Sequence, residues 1–167
     1  LRSEERGPPA GGPLSFGRDL EVAVKSPFEG ELVRLRAREV GDAEANYRWM
    51  NDFEVTQFIE VRYPQSMTGQ RKRLEEQAGP SFEASRFSIE TLRDRTFIGT
   101  CVLRNTSPED RTADLGITIG EKSHWNGGYG TDATRVLCRF GFEVMNLNRI
   151  ELGVFADNPR ARRVYEK

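Results

Sequence analysis

Cysteine is scarce: Cys101 and Cys138 are the only two in 167 residues. Two thiols by themselves make neither a disulfide framework nor a four-ligand zinc site. Histidine occurs once, at His124, with no serine or cysteine motif beside it, which excludes a nucleophile–histidine triad. No apolar run approaches the roughly 20 residues that cross a bilayer, so a transmembrane helix is excluded. Neither sign of charge dominates. The 25 Lys+Arg and 26 Asp+Glu leave a net charge of -1, too little for a basic nucleic-acid footprint. No basic-then-apolar leader follows Leu1. The expectation is a cytoplasmic protein without a metal, acting on neither membrane nor nucleic acid.

What is present is a single-domain composition, 37% hydrophobic and 31% charged. Its breakers are unevenly placed. Residues 1–30 carry 5 Gly and 4 Pro and no helical period, so they read as a flexible tail, with Leu20–Val24 as a weak strand at most. The domain is expected over residues 31–167, a length that buries about two thirds of its unfolded surface.

The pattern there predicts a strand over Glu31–Arg36, a helix over Asp42–Met50 capped by Asp42, and a short helix near Phe53–Phe58. A helix over Met67–Gln77, capped by Ser66, ends at Gly79-Pro80. Three strands follow: Arg86–Leu92, Phe97–Leu103 and Ala113–Gly120, the last with Leu115, Ile117 and Ile119 on one side. A long helix runs to about Met145, with Ala133, Val136, Leu137, Phe140 and Val144 at the 3.6 period. A strand over Arg149–Phe155 and a helix opened by Asn158-Pro159 complete the order. Three strands in succession imply an antiparallel meander, and strand–helix–strand implies two parallel neighbours. The fold class is α+β around one mixed sheet.

The stretch Trp125-Asn126-Gly127-Gly128-Tyr129-Gly130-Thr131 places three glycines in four positions before a helix. Bare backbone N–H groups at a helix N-terminus suit a phosphate. A flexible strand-to-helix loop accounts for the glycines equally well. Gly128, Gly130 and Ala133 also satisfy a dinucleotide fingerprint, with Asp157 as its ribose acid. That fingerprint should follow its strand directly, and residues 121–127 intervene. A P-loop is excluded, because no Gly-Lys-Ser/Thr follows the glycines.

The segments ADLGITIG, HWNGGYGTDA, RIELGVFADN and NPRARRVYEK, in this order and spacing, resemble the GNAT superfamily of acetyl-CoA-dependent N-acetyltransferases. They are most similar to its ribosomal-protein N-terminal acetyltransferase branch. Upstream, GELVRLRAREVGDAEANYRWMNDFEVTQFI resembles the family's opening strand and first two helices, so the resemblance covers about residues 30–167. It implies transfer of an acetyl group from acetyl-CoA to a primary amine, on a protein N-terminus or a small molecule. It also implies a sheet whose fourth and fifth strands splay, with helices on both faces.

In that family the arm of CoA lies between those strands, which assigns it here to the backbone of Leu115, Ile117 and Ile119. An N–H near Ile119 would polarise the thioester. Gly116 and Gly120 suit close approach or bulging there. Trp125, Asn126, Gly127, Gly128, Tyr129, Gly130 and Thr131 would hold the pyrophosphate, although Trp125 stands where the superfamily has Gln or Arg. Asn158 would add a cofactor contact or simply cap its helix. Tyr165 matches the proton donor to the leaving thiolate. Asp114 is either the base or a surface acid opposite Arg111. Arg160, Arg162 and Arg163 form a solvated face or reach the 3'-phosphate of CoA. Tyr47, Trp49, Asn51, Asp52 and Phe58 are the candidate acceptor-binding residues, with Trp49 and Phe58 equally readable as core.

The family continues with one or two strands beyond the last helix, so the sequence reads as ending at Lys167 before them. An open edge at the fifth strand would then be free to pair with a second copy as a homodimer. A non-catalytic CoA-binding module on the same fold, and less so a dinucleotide-binding oxidoreductase fragment, remain as alternatives.

Overall fold

The structure, a computed structural model, describes residues 26–59, 61, 63–77, 79 and 81–166. Strands β1 (Val33–Arg36), β2 (Ala84–Thr91), β3 (Phe97–Ser107), β4 (Thr112–Ile119) and β5 (Arg149–Glu151) form one sheet in the order β1-β2-β3-β4-β5. The first three pairings are antiparallel and β4–β5 is parallel. This is the expected mixed sheet. A doubly wound dinucleotide fold, which needs a mostly parallel sheet, does not fit it.

Helix α4 (Tyr129–Arg139) covers one face of the sheet. Its Ala133, Val136 and Leu137, with Phe140 just beyond, fall at helical spacing and bury against Leu35, Ile89, Leu103 and Leu115. The helix then widens into a π turn over Phe140–Val144 rather than running on as α-helix. Helices α1 (Ala43–Met50), α2 (Phe53–Thr56) and α3 (Met67–Glu76) gather over the opposite face. There Trp49, 4% exposed, packs on Phe97 with ring centroids 4.8 Å apart. A Cβ on Gly120 would lie 2.1 Å from the Trp49 ring, so this glycine makes room for the indole. The register from Asp114 to Ile119 is unbroken, and neither Gly116 nor Gly120 marks a bulge in β4.

Two boundaries differ from the sequence pattern for physical reasons. Residues 28–30 belong to the packed body and not to a tail. The Phe28 ring lies 5.8 Å from Phe87 and 5.4 Å from Phe140, and Arg139 Nη2 donates to the carbonyls of Pro27 and Glu29. Residues 1–25, including Leu20–Val24, lie outside the described residues. Strand β5 stops at Glu151, because β4 no longer runs beside residues 152–155.

Asp42 occupies the cap position before α1 but makes no side-chain cap bond. Its carboxylate turns back to the sheet instead. It accepts from both terminal nitrogens of Arg36 (2.7 and 3.0 Å), from Ser88 Oγ (2.7 Å) and from the Glu39 N–H (3.0 Å). Burial opposes its charge. Arg36, the Glu39 N–H and Ser88 together outweigh burial and hold its pKa below the ordinary carboxylate value. A lowered folded-state pKa contributes stability that is complete above the unfolded value of about 3.9 and is lost as pH falls through the folded one. The wild type should therefore lose urea resistance below about pH 4 more steeply than Asp42→Asn, which has no charge there to lose. Parallel pH profiles would refute this.

Candidate active site: a gap in the sheet beside a glycine loop

The β4–β5 ladder ends at the Asp114–Glu151 pair, while β4 continues to Ile119 along β3. The Gly120 N–H donates to the Ile98 carbonyl (2.9 Å), which sets the phase of the antiparallel ladder. Alternation then turns the backbone groups of Ile117 and Ile119 away from β3 and into the gap. The Ile119 carbonyl is taken by the Trp125 indole N–H at 2.7 Å. The Ile117 N–H and C=O and the Ile119 N–H have no strand partner among the described residues. An extended chain bearing amides fits this opening as a missing strand would. Together with the face under α1 and α3, the gap forms a continuous cleft of about 1300 Å³.

One end of the gap is closed by the glycine loop. Asn126 (φ 62) and Gly128 (φ 87) both take the left-handed conformation, and Gly128 is the cap residue of α4. The turn so formed presents N–H groups at the start of an 11-residue helix, where the helix dipole favours an anion. Trp125, Asn126, Gly128, Gly130 and Thr131 line the cleft. Gly127 and Tyr129 do not. Tyr129 packs toward the core and meets His124 edge-on at 5.0 Å. Trp125 replaces a polar side chain by a braced one. Its indole bonds β4 and lies 3.8 Å beneath the Arg160 guanidinium. The three arginines of helix α5 (Pro159–Tyr165) are thus not one cluster. Arg160 stacks on Trp125, Arg162 pairs with Glu166 (3.3 Å), and Arg163 Nε donates to the Pro159 carbonyl.

Asp132, which the sequence reading passed over, is the loop's structural anchor. Only 8% exposed, it accepts from the N–H groups of Glu31 (2.9 Å), Leu32 (2.7 Å) and Val33 (3.0 Å) and ties α4 to the edge strand. Gly30 allows the approach, since a Cβ there would lie 2.2 Å from the carboxylate. The available signal was an acid in the first turn of a helix.

Tyr165 and Asn158, from the two ends of α5, both face the cleft. Asn158 is the cap, with Oδ1 accepting from the Ala161 N–H at 3.1 Å, which leaves its amide N–H groups for another partner. Burial, and secondarily Cys138, push the Tyr165 phenol above its ordinary value of 10.0, so it is protonated at neutral pH. Burial also pushes both cysteine thiols up, and neither is a nucleophile at neutral pH. Asp114 lines the cleft, but its partner is Asn105 Nδ2 (2.6 Å), not Arg111, which bonds Asn146 instead.

Three of the candidate acceptor residues, Tyr47, Trp49 and Asn51, lie away from this cleft. Trp49 is buried, Tyr47 is on the outer side of α1, and Asn51 pins the loop at Gln65 to α1 through paired bonds of 2.9 and 3.0 Å. Phe58, also a candidate, does face the cleft, together with Asn46 and Met50. Asp52 and Glu54 hold Lys122 at 2.7 and 2.9 Å, linking α2 to the turn after β4. Among the described residues, no helix is long and apolar enough to cross a membrane, and no group of three or more His, Cys, Asp or Glu could hold a metal ion.

A splayed β4–β5 pair beside a glycine loop at a helix start is an arrangement suited to a ligand with an extended amide-bearing arm and a phosphate. The Acetyltransferase (GNAT) domain model matches residues 33–167. The chain is 32% identical over 130 residues to "Uncharacterized N-acetyltransferase p20" of Bacillus licheniformis, covering 77% of this chain and 72% of that protein. It is 32% identical over 150 residues to "Probable N-acetyltransferase YjcK" of Bacillus subtilis, covering 84% and 81%. In fold it is similar to the Vibrio cholerae spermidine N-acetyltransferase in complex with CoA and spermine, with a TM-score of 0.73 at 23% identity over 80% of this chain and 78% of that one. The chain belongs to the GNAT acetyltransferase family and is an N-acetyltransferase.

Proposed function

We propose that this protein transfers the acetyl group of acetyl-CoA directly to a primary amine in a ternary complex. The observation that carries this reading is the unpaired backbone of Ile117 and Ile119 opening onto the glycine loop. Bound acetyl-CoA supplies a thioester carbonyl open to attack by a neutral amine. The Ile117 N–H, nearer than the Ile119 N–H expected from the sequence to the point where β4 and β5 part, is the oxyanion donor, and the Ile119 N–H holds the arm nearer the loop. The N–H groups around Gly128 bind the pyrophosphate, and the free amide of Asn158 faces the same arm. Tyr165 Oη–H gives its proton to the departing thiolate. Asp114 lies three residues before Ile117, about 10 Å of strand, so it takes the amine's proton through water. The acceptor enters from the side of α1 and α3, as a small amine or a protein N-terminus like those of the ribosomal-protein branch.

Thermal unfolding with acetyl-CoA and with NAD in parallel tests the cofactor assignment. Acetyl-CoA at a hundredfold excess over its Kd should stabilise the fold by about 2.7 kcal/mol. NAD should leave it unchanged. A shift with NAD alone would overturn the reading.

A further inference from the structure

The half of the cleft beneath α1 and α3 has an unbalanced chemistry. Arg38, Arg73 and Arg86 all line it. None has a carboxylate within salt-bridge distance among the described residues. Their recorded partners are neutral: Arg38 Nη1 donates to Gln77 Oε1 (3.0 Å), Arg73 Nη2 to Gln65 Oε1 (3.2 Å) and Arg86 Nη1 to the Ala84 carbonyl (3.1 Å). The contrast is on the same face of the sheet. There Arg34 and Arg36 are matched to Glu90, and Arg36 also to Asp42.

Arg38 feels the other two. Burial first, then Arg86 and Arg73 against the opposing pull of Asp42, lowers the pKa of Arg38. Beside them sit two amides that should not be idle. Asn46 and Gln70 are 3% and 2% exposed, line the cleft, and have side-chain nitrogens with no hydrogen-bond partner. The Arg38 Nε–H is unpaired as well. An unpaired buried donor costs about 1–3 kcal/mol, so each of these three along the cleft wall calls for a partner, a water or a ligand atom, that the described residues do not supply. The acids that line the whole cleft, Asp114 and Glu151, stand at the β4–β5 split and not among these arginines.

We propose that the acceptor is a small primary amine that also carries a carboxylate or phosphate, bound by Arg38, Arg73 and Arg86. This rests on the acetyl-transfer reading above and specifies its substrate. The sheet sets the size of the acceptor. Arg86 pairs with Val102, and Val102 with Gly116, so Arg86 stands two strands, about 10 Å, from the backbone beside the reacting gap. That separation is within the span of one small molecule carrying both an anion and an amine. A polyamine would set positive charge against three arginines.

The test uses the protein saturated with CoA, so that the glycine loop is filled, and follows its unfolding midpoint. Inorganic phosphate and acetate are added separately, each against chloride at equal ionic strength. At least one should raise the midpoint, by about 3–5 °C for every tenfold excess over its dissociation constant. Phosphate alone points to a phosphorylated amine, and acetate to a carboxylate. The double variant Arg38→Gln/Arg86→Gln should keep the CoA shift, showing that it folds, and lose the anion shift. Neither anion shifting the CoA-bound wild type, an equal shift in the variant, or a shift with spermidine instead would overturn the proposal. Absence of any CoA shift would overturn the acetyl-transfer reading beneath it.

Discussion

Asp132→Ala should cost about 4 kcal/mol or more, a large part of the roughly 5–15 kcal/mol that holds a domain of this size. The carboxylate serves three consecutive N–H groups of residues 31–33, and the Val33 N–H is fully buried. Alanine would remove the acceptor and leave these donors without a partner. Hydrogen bonds to a charged group contribute about 1.5–3 kcal/mol each, and an unpaired buried donor is itself costly. The thermal midpoint should fall by about 10 °C. Asp132→Asn retains one oxygen acceptor without the charge and should fall less. The same change loosens the start of α4, where the glycine loop ends, so on the proposed reading acetyl-CoA affinity should weaken in whatever folded protein remains. A midpoint within a degree of wild type would show that α4 and β1 are held by their apolar contacts alone.

Tyr165→Phe should lower kcat by about 10²–10⁴, the range of a positioned acid, while acetyl-CoA affinity stays near wild type. The ring remains to pack against the core and only the hydroxyl is lost. Because its pKa is raised above 10.0, the wild-type group stays protonated across the neutral range. Its titration should not limit the rate below about pH 10. Equal turnover in the two proteins would remove Tyr165 from the chemistry and leave proton delivery to water.

The sequence shows periodicity and glycine placement well, and side-chain destinations poorly. The meander, the parallel β4–β5 pair and the loop into α4 were all legible, because each rests on a local pattern. So was the turning of Leu115, Ile117 and Ile119 to one side, which follows from the period of a strand. Asp42 illustrates the limit. An aspartate before a helix reads as a cap, yet its partners Arg36 and Ser88 lie on other elements. Trp49 and Asn51 were read as acceptor contacts because they adjoin the first helix. One fills the space left by Gly120 and the other pins a loop. The helix face toward the cleft is set by Asn46 and Met50, one residue, about 100° of helix, out of phase with Tyr47 and Asn51. Arg38, Arg73 and Arg86 are far apart in sequence and look like ordinary surface charge until the fold brings them together. Strand β5 was read as too long because apolar residues 152–155 look like strand whether or not a neighbour pairs with them.

The central claim is that the opening between β4 and β5 belongs to the cofactor arm. Amide hydrogen exchange at Ile117 and Ile119, with and without saturating CoA, tests it most directly. Both amides face the gap without a strand partner in the free protein, and CoA should slow their exchange markedly. The Gly120 amide, already bonded to Ile98, should change little. Bound CoA that leaves Ile117 and Ile119 exchanging as in the free protein would contradict the account.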